Sequence, residues 1–509
     1  LFSDCDEKRV CVSRYRKWGE LPEVQSPLFI FENVTHSRAP IFRTGSEFTG
    51  VSQRFRDQFV SPGFLRVFNL ACDWRTAYLR TVVLGALAIL SLVLLLWQWF
   101  VAVLFPLHKR AADFLFSPPV TLLKPLKGCD STTEQSLRSW FAQNYRGPIQ
   151  ILFGVAAGDD PVCQVVRKLI AEFPSQDAQL IVCGPLMGAN AKVSKLVELE
   201  RLAKHDILVI SDADVRLPTD FIANLITPFN ESRDERGENS LSPSDGERAR
   251  ARDLSDSQSQ PNSALESPQI KNQKSKTGNP VGLVNCFYLL ANPSTVAMQW
   301  EAIAINADFW SQVLQAQSLK PIDFALGAVM AIRKLQLANI GGFAALADCL
   351  ADDYQLGNRI ARKGYRIALS TVPVECWSEP MSWAAVWKHQ LRWARTVRVC
   401  QPLPYFFSIL SNPTLWPLLW VAAKPSPISV GFSLLCLFLR IVSARHLQRR
   451  LSKSRSTVPA WIPPLKDILQ TAIWFLAFMG NHIEWRGQRM RLRGDGTLVK
   501  PHSISSSSN

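Results

Sequence analysis

Apolar and polar positions fall into three regimes along this chain. From Thr81 to Phe105 there are 25 residues without a charge, dominated by Leu, Val, Ala and Trp. About 20 such residues cross a bilayer as a helix, so residues 76–107 are expected to form a transmembrane anchor. Arg75 and Arg80 flank one end and His108, Lys109 and Arg110 the other; basic flanks on both sides leave its orientation weakly specified. From Pro118 the pattern changes. Val120–Leu123, Ile149–Val155, Leu180–Cys183 and Ile207–Ile210 read as short buried strands, while Ser131–Asn144, Pro161–Glu172 and Asn190–Lys204 carry helical spacing and start signals. Strands alternating with helices predict an α/β domain built on a parallel, Rossmann-like sheet.

The pattern stops at Glu231 and resumes at Val281. Residues 231–279 contain no aromatic side chain, ten serines, and 9 acidic against 8 basic residues. Such a segment buries too little apolar surface to offset its ordering entropy, and a disordered surface insertion is expected. Beyond it, Phe324–Ile332 and Tyr365–Ser370 read as strands, and Leu346–Lys363 and Ser382–Val399 as helices. A third regime follows. Gln401–Ala423 is uncharged but broken by prolines, Pro425–Leu439 is apolar, and Ile468–Ile483 is a last short run. Two or three C-terminal membrane segments are expected, with the basic stretch Arg440 to Arg455 between them as a cytoplasmic loop. The implied boundaries are a poorly ordered extension at 1–75, the anchor at 76–107, a nucleotide-sugar-binding half at 117–230, the insertion at 231–279, a catalytic half at 280–400, membrane segments at 401–485 and a basic tail at 486–509.

Composition narrows the partners. A net charge of +15 with 47% hydrophobic residues suits a membrane surface. The basic residues form no long block interleaved with aromatics, which argues against nucleic acid. Eleven cysteines without a Cys-x-x-Cys pair or a Cys/His cluster argue against a disulfide scaffold or a zinc site.

Candidate chemistry gathers where strands end. Ile207–Ile210 runs into Ser211-Asp212-Ala213-Asp214, and the carboxyl edge of an open α/β sheet is where ligands bind. Two carboxylates one residue apart can share a divalent cation that also holds phosphate oxygens. Asp159-Asp160 ends another strand, Asp352-Asp353 lies on a later helix, and His389-Gln390-Leu391-Arg392-Trp393 precedes the last membrane part.

In this order the four elements resemble the D1, D2, D3, (Q/R)xxRW pattern of family 2-like glycosyltransferases. The match is closer to the ceramide glucosyltransferase-like family 21: LKPLKG at Leu123–Gly128, DDP at Asp159–Pro161, PVGLV at Pro280–Val284 and DDYQLGNRIARKGYRIALS at Asp352–Ser370 resemble its motifs. Bacterial hopanoid-linked glycosyltransferases are similar over the same region, HQLRWAR and the ending IEWRGQRMRL included. The resemblance implies a GT-A fold with N- and C-terminal transmembrane helices, and a UDP-sugar donor. Asp160 matches D1, on the nucleotide base side, and Lys192 a lysine near the diphosphate. Asp212 and Asp214 form a DxD that would hold Mg²⁺ or Mn²⁺. Asp353 matches D3, the general base, with Asp352 as its competitor. Arg392 and Trp393 match the RW, and His389 stands where the family has Gln or Arg.

The implied reaction is inverting transfer of a sugar, glucose first, to a lipid hydroxyl. N-acetylglucosaminyl transfer to a hopanoid polyol, a polysaccharide synthase on the same core and a non-catalytic membrane scaffold are the alternatives. The expected setting is a bacterial inner membrane, with the catalytic domain facing the cytoplasm.

Overall fold

A computed structural model describes residues 62–110, 115–230, 279–454, 458–485 and 488–499. Residues 1–61 of the extension expected at 1–75, residues 231–278 of the insertion expected at 231–279 and the end of the expected tail beyond residue 499 lie outside them. The long uncharged run belongs to helix α1 (Pro62–Leu104). That helix starts ahead of the expected anchor, so the last part of the expected extension is helical. The chain divides within it into two units, Leu1–Asp73 and Trp74–Asn509, and the second holds every described strand.

The expected strands and helices form, with shifted ends: β1 (Val120–Pro125), α2 (Thr133–Phe141), β2 (Ile149–Val155), α3 (Val162–Glu172), β3 (Asp177–Val182), α4 (Ala191–Leu202) and β4 (Ile207–Ser211). Strands β3-β2-β1-β4 lie side by side and parallel. Every residue of β1 and β4 is buried. Leu123, Leu208 and Ile210 enter one apolar cluster, and Leu122, Ile207 and Val209 enter another. Both faces of the sheet are covered, which is why these strands read as continuous apolar runs rather than alternations.

The sheet is mixed, not all-parallel. After β5 (Val215–Arg216) and α5 (Phe221–Ile226) come β6 (Val281–Leu290), α6 (Val296–Ile303), a π-helical segment (Ala304–Phe309), α7 (Trp310–Gln317), β7 (Val329–Arg333) and α8 (Lys334–Ala338). Strand β7 pairs antiparallel with both β4 and β6, and β5 antiparallel with β8 (Arg366–Cys376), giving the order β3-β2-β1-β4-β7-β6-β8-β5. Only the later part of the strand expected at Phe324–Ile332 forms; Phe324–Ala328 is a loop. The helix expected from Leu346 begins at Asp352, as α9 (Asp352–Arg362). This puts Asp352 and Asp353 in its first turn rather than on a solvated flank.

Helix α10 (Trp383–Cys400) is capped by Ser382, whose hydroxyl accepts from Ala385 N. It leads to α11 (Pro402–Phe407), α12 (Leu415–Ala423), α13 (Pro427–Ser452) and α14 (Ile462–Phe478). Among the described residues, two helices are long and apolar enough to cross a membrane, Tyr78–Leu104 within α1 and α13; the segments Pro402–Ser411 and Leu415–Ala423, bent by 56°, make a third if they act as one span. The basic stretch expected as a loop is the second half of α13. Arg440 is buried there between Asp308 and Asp467, and Arg450 donates to the carbonyls of Val103 and Phe105 at the end of α1. Carboxylates pair Arg440 in the interior and helix-end carbonyls hold Arg450, so their charge did not mark a loop. A small antiparallel sheet, β9 (His482–Trp485), β10 (Gln488–Leu492) and β11 (Leu498–Val499), closes the described chain.

Candidate active site

Four chain segments meet at the carboxyl edge of the parallel strands. Asp212 follows β4 directly, and its main chain is fixed by Asp212 N donating to Ala328 O at 3.3 Å. Asn190 caps α4, its Oδ1 accepting from Lys192 N and Val193 N at 3.0 and 3.3 Å. A cap of this kind satisfies orphan amides at a helix start. Here it also aims Lys192, whose Nζ lies 2.8 Å from Asp212 Oδ1 and 3.1 Å from Asp352 Oδ2. Asn190 Nδ2 donates to Cys349 O at 2.9 Å and Asp352 Oδ1 at 3.3 Å. Lys192 and Asn190 therefore tie the Asp-x-Asp turn to the first turn of α9. Burial works against the Lys192 charge, but Asp212 and Asp352 outweigh it and hold the ammonium firmly protonated.

Asp353 sits beside this bridge with its carboxyl against Gly327. A Cβ at position 327 would lie 2.6 Å from Asp353 Oδ2, so any larger residue there would push the carboxylate out of this position. Its Oδ1 accepts from Tyr354 N at 2.8 Å. Burial, and then the Asp352 charge, push the Asp353 carboxyl up to about 6. Asp214 keeps surface open to solvent, yet protein mass around it and then Asp212 push its carboxyl up to about 6 as well.

Lys124 joins the site although none of the four motifs contains it. It lies inside β1, fully buried, donating from Nζ to Asp212 O at 2.5 Å and Ser211 Oγ at 3.3 Å and sitting 4.2 Å from the Trp140 ring centre. Burial pulls its pKa down to about 7 against the pull of Asp214 and Asp212. A lysine directly after the apolar run Val120–Leu123 was the signal, since lysine is almost never fully buried unless paired.

Asp160 lies in the loop between β2 and α3, where its carboxylate accepts from Gly128 N at 3.0 and 3.1 Å and from Val162 N at 3.1 Å. It therefore joins the loops that follow β1 and β2. Its neighbour Asp159 is exposed. His389, Arg392 and Trp393 all lie on α10. His389 Nδ1 is 2.6 Å from Glu301 Oε1, and Trp393 packs 4.8 Å from the His389 ring and 6.2 Å from Phe309. Glu301 also escaped notice, although a lone acid in the apolar run of α6 is an equally plain signal.

A family model, "Glycosyl transferase family 21", matches residues 81–236 and 271–498, a span that holds the whole eight-stranded sheet and all four motifs. The chain belongs to glycosyltransferase family 21. Within that family's range of relatives, ceramide glucosyltransferase 3 of Caenorhabditis elegans is 20% identical over 407 residues, covering 78% of this chain and 77% of the relative. A ceramide glucosyltransferase of Candida albicans is 34% identical over 122 residues, 22% of each chain. Among solved structures, the mannosyltransferase PcManGT of Pyrobaculum calidifontis, in complex with GDP-Man and Mn²⁺, is similar over 77% of this chain and 98% of its own, at 18% identity and a TM-score of 0.41. The expected GT-A arrangement of a family 21 chain is present: parallel strands β3-β2-β1-β4, with an Asp-x-Asp turn directly after β4.

Proposed function

We propose that this glycosyltransferase moves glucose from UDP-glucose to a lipid hydroxyl, in the manner of a ceramide glucosyltransferase, by a single displacement that inverts the anomeric carbon. The observation that carries this reading is the cluster at the sheet edge. Lys192 ties Asp212 to Asp352, and a half-buried Asp353 with a raised pKa stands beside them. A carboxylate of this kind is suited to take a proton near neutral pH. Asp353 accepts the proton of the lipid hydroxyl as its oxygen bonds to the anomeric carbon, and the bond from that carbon to the diphosphate breaks. Lys192, with Arg392 from α10, places positive charge where the leaving diphosphate gathers negative charge. Arg is suited to this by its permanent charge and forked donors. Asp160, in the loop after β2, belongs to the nucleotide side.

A divalent ion fits the same edge. Asp212 has 44% of its side chain accessible, Asp214 is open to solvent, and the two like charges oppose each other. Among the described residues no group of three or more His, Cys, Asp or Glu is placed to hold a metal. Two carboxylates suit Mg²⁺ or Mn²⁺, which commonly bind one or two protein carboxylates together with substrate phosphates. When bound, the ion would supply charge stabilisation for the diphosphate.

The names of the relatives favour ceramide over a hopanoid as acceptor. The membrane-length helices α1 and α13 support a lipid acceptor, and the cytosolic supply of nucleotide sugars calls for a catalytic domain facing the cytoplasm. Incubating purified enzyme in lipid nanodiscs with labelled UDP-glucose and either ceramide or a hopanoid polyol tests the reading. A β-linked glucosylceramide is the expected product. Transfer only to a polyol, or growth of a sugar polymer, would replace it.

A further inference from the structure

A cavity of about 470 Å³ opens between the two membrane-length helices, lined by Trp99 of α1 and by Val442, Arg445, His446 and Arg449 of α13. Arg445 and Arg449 stand one turn apart, so like charges share a helix face and oppose each other. Other arginines of the same helix have their guanidiniums spent inside the protein, Arg440 on Asp308 and Asp467 and Arg450 on the carbonyls of Val103 and Phe105. Among the described residues, neither the Arg445 nor the Arg449 guanidinium has a hydrogen bond or ion pair. The imidazole beside them is a donor too. Trp99 Nε1 donates to His446 Nδ1 at 2.7 Å. An indole can only donate, so Nδ1 carries the lone pair and the ring proton stands on Nε2. The side chains around the cavity thus offer positive charge and N–H donors, and none is a carboxylate.

The cavity lies near the ends of both helices that meet the sheet domain. Trp99 meets His446, and the carbonyls of Val103 and Phe105 meet Arg450, so the two helices run the same way there and end together. Ala102 of α1 and Ala444, Leu447 and Leu451 of α13 join an apolar cluster of the sheet. In the other direction the helices turn apolar faces outward. Leu435 and Phe438 precede Val442 on one face of α13 by helical spacing, Leu96 precedes Trp99 on α1, and all three are exposed. Tryptophan and basic side chains next to an exposed apolar face mark the boundary between lipid headgroups and chains. Basic pockets between spanning helices on the cytoplasmic side suit phospholipid headgroups, and guanidinium forks match phosphate oxygens.

We propose that this cavity binds the phosphate of an anionic membrane phospholipid, held by Arg445, Arg449 and the Nε2–H of His446, with the acyl chains along Leu96, Leu435 and Phe438. The proposal rests on α1 and α13 acting as membrane spans, and not on which sugar or acceptor the enzyme uses. Full-length enzyme in detergent provides the test, with lipid adducts titrated by native mass spectrometry. Phosphatidylglycerol is expected to fill a saturable site, and phosphatidylcholine, whose headgroup has no net charge, to bind more weakly. Arg445→Gln and Arg449→Gln are each expected to weaken phosphatidylglycerol about fivefold, the worth of one basic residue near an anionic headgroup. Arg445→Lys keeps the charge, so it should lose less and guards against a folding defect. Lys453→Asn removes an exposed charge at the C-terminal cap of α13, outside the cavity, and should leave the affinity unchanged. Equal losses in Lys453→Asn and Arg445→Gln would mean general surface attraction and would overturn the site. So would phosphatidylglycerol affinity that is unchanged in both arginine variants. Inorganic phosphate separates a free anion from a headgroup: it is expected not to displace phosphatidylglycerol, and displacement would overturn the lipid assignment. The membrane spans have their own readout. If alkaline carbonate strips the wild-type chain from membranes, the spans fail and the lipid assignment falls with them; a chain that stays in the membrane but binds lipid without dependence on the arginines fails the site alone.

Discussion

Asp352 and Asp353 are neighbours with opposite employment. Asp352 is spent on Lys192 and Asn190, whereas Asp353 faces Gly327 with its carboxyl raised to about 6. Asp353→Asn is therefore expected to lower transfer by about 10² to 10⁴, the usual worth of a general base, while UDP-glucose affinity stays near wild type. Asp352→Asn should instead weaken donor binding, because it frees Lys192 from one of its two anchors; near-normal transfer in Asp353→Asn would remove the base assignment. The pH profile follows with a definite sign. A base must be ionised, so activity is expected to fall as pH drops through about 6. Asp214 titrates in the same range, and the two are separable: residual activity in Asp353→Asn should lose that acid limb, and a limb that persists belongs to Asp214. The ion assigned to the Asp-x-Asp turn gives another expectation. Asp214→Ala should abolish donor turnover in a protein that still inserts and folds, and full activity in EDTA without added divalent ion would remove the metal assignment.

At the scale of elements, the last small sheet holds two motif-bearing segments in place. On one side Leu350 N donates to Gly496 O at 3.2 Å and Leu498 N to Asp348 O at 2.8 Å, with Cys349 bridged to Thr497, just ahead of α9. On the other, Lys388 pairs with Glu484 at 3.0 Å, Arg395 donates to His482 O and Arg398 to Asn481 Oδ1, along α10. Leu350, Ile483, Met490, Leu492 and Leu498 form a separate apolar cluster. Leu498→Ala removes part of that cluster, and a buried Leu→Ala change costs about 2–5 kcal/mol where the site cannot collapse. Amide hydrogen exchange over residues 346–352 is expected to quicken and transfer to fall; protection unchanged there would mean the sheet supports nothing. The sequence offered no direct hint of this role, because a short antiparallel sheet stabilises through partners distant in the chain. What it did offer has a physical basis. Ile207–Asp214 was legible because a strand covered on both faces must be apolar and then changes character where it leaves the core at the sheet edge. The antiparallel run of β7 was not, since an apolar run carries no direction. The start of α9 at Asp352 was not either, because Leu346 and Ala347 are apolar at helical spacing yet fall in the 3₁₀ turn Phe343–Leu346 and the loop after it. Lys124 and Glu301 were visible as letters, but their worth depends on burial that only the fold reveals.

The whole molecule is joined across its membrane part by charges that no surface shows. The π-helical segment after α6 is fastened to the sheet by Asn306, which accepts from Leu290 N at 2.8 Å and donates to Leu290 O at 3.0 Å. It offers Asp308 in the opposite sense, to Arg440 of α13 at 2.9 Å and Lys466 of α14 at 2.7 Å, while Arg440 also meets Asp467 of α14 at 2.8 Å. Thr414 donates to the same Asp467 at 2.7 Å. Two cations and two anions balance, and each of the four residues is buried. Such a set is weak support for stability as a whole, but removing one member leaves a buried charge uncompensated, at roughly 3–5 kcal/mol. Arg440→Met is expected to show that loss in denaturant unfolding in detergent. Arg440→Met combined with Asp467→Leu leaves Lys466 and Asp308 as a balanced pair, so it should recover much of the loss and show strong non-additivity. Equal destabilisation by the single and double variants would mean that packing, not charge balance, is what Arg440 supplies. Because Phe309 follows Asp308 in the same segment and touches Trp393, the single variant should also lower transfer more than its stability loss accounts for, and the double variant should restore it. Stability that recovers without activity would locate the coupling in the position of the π-helical segment rather than in the charges themselves.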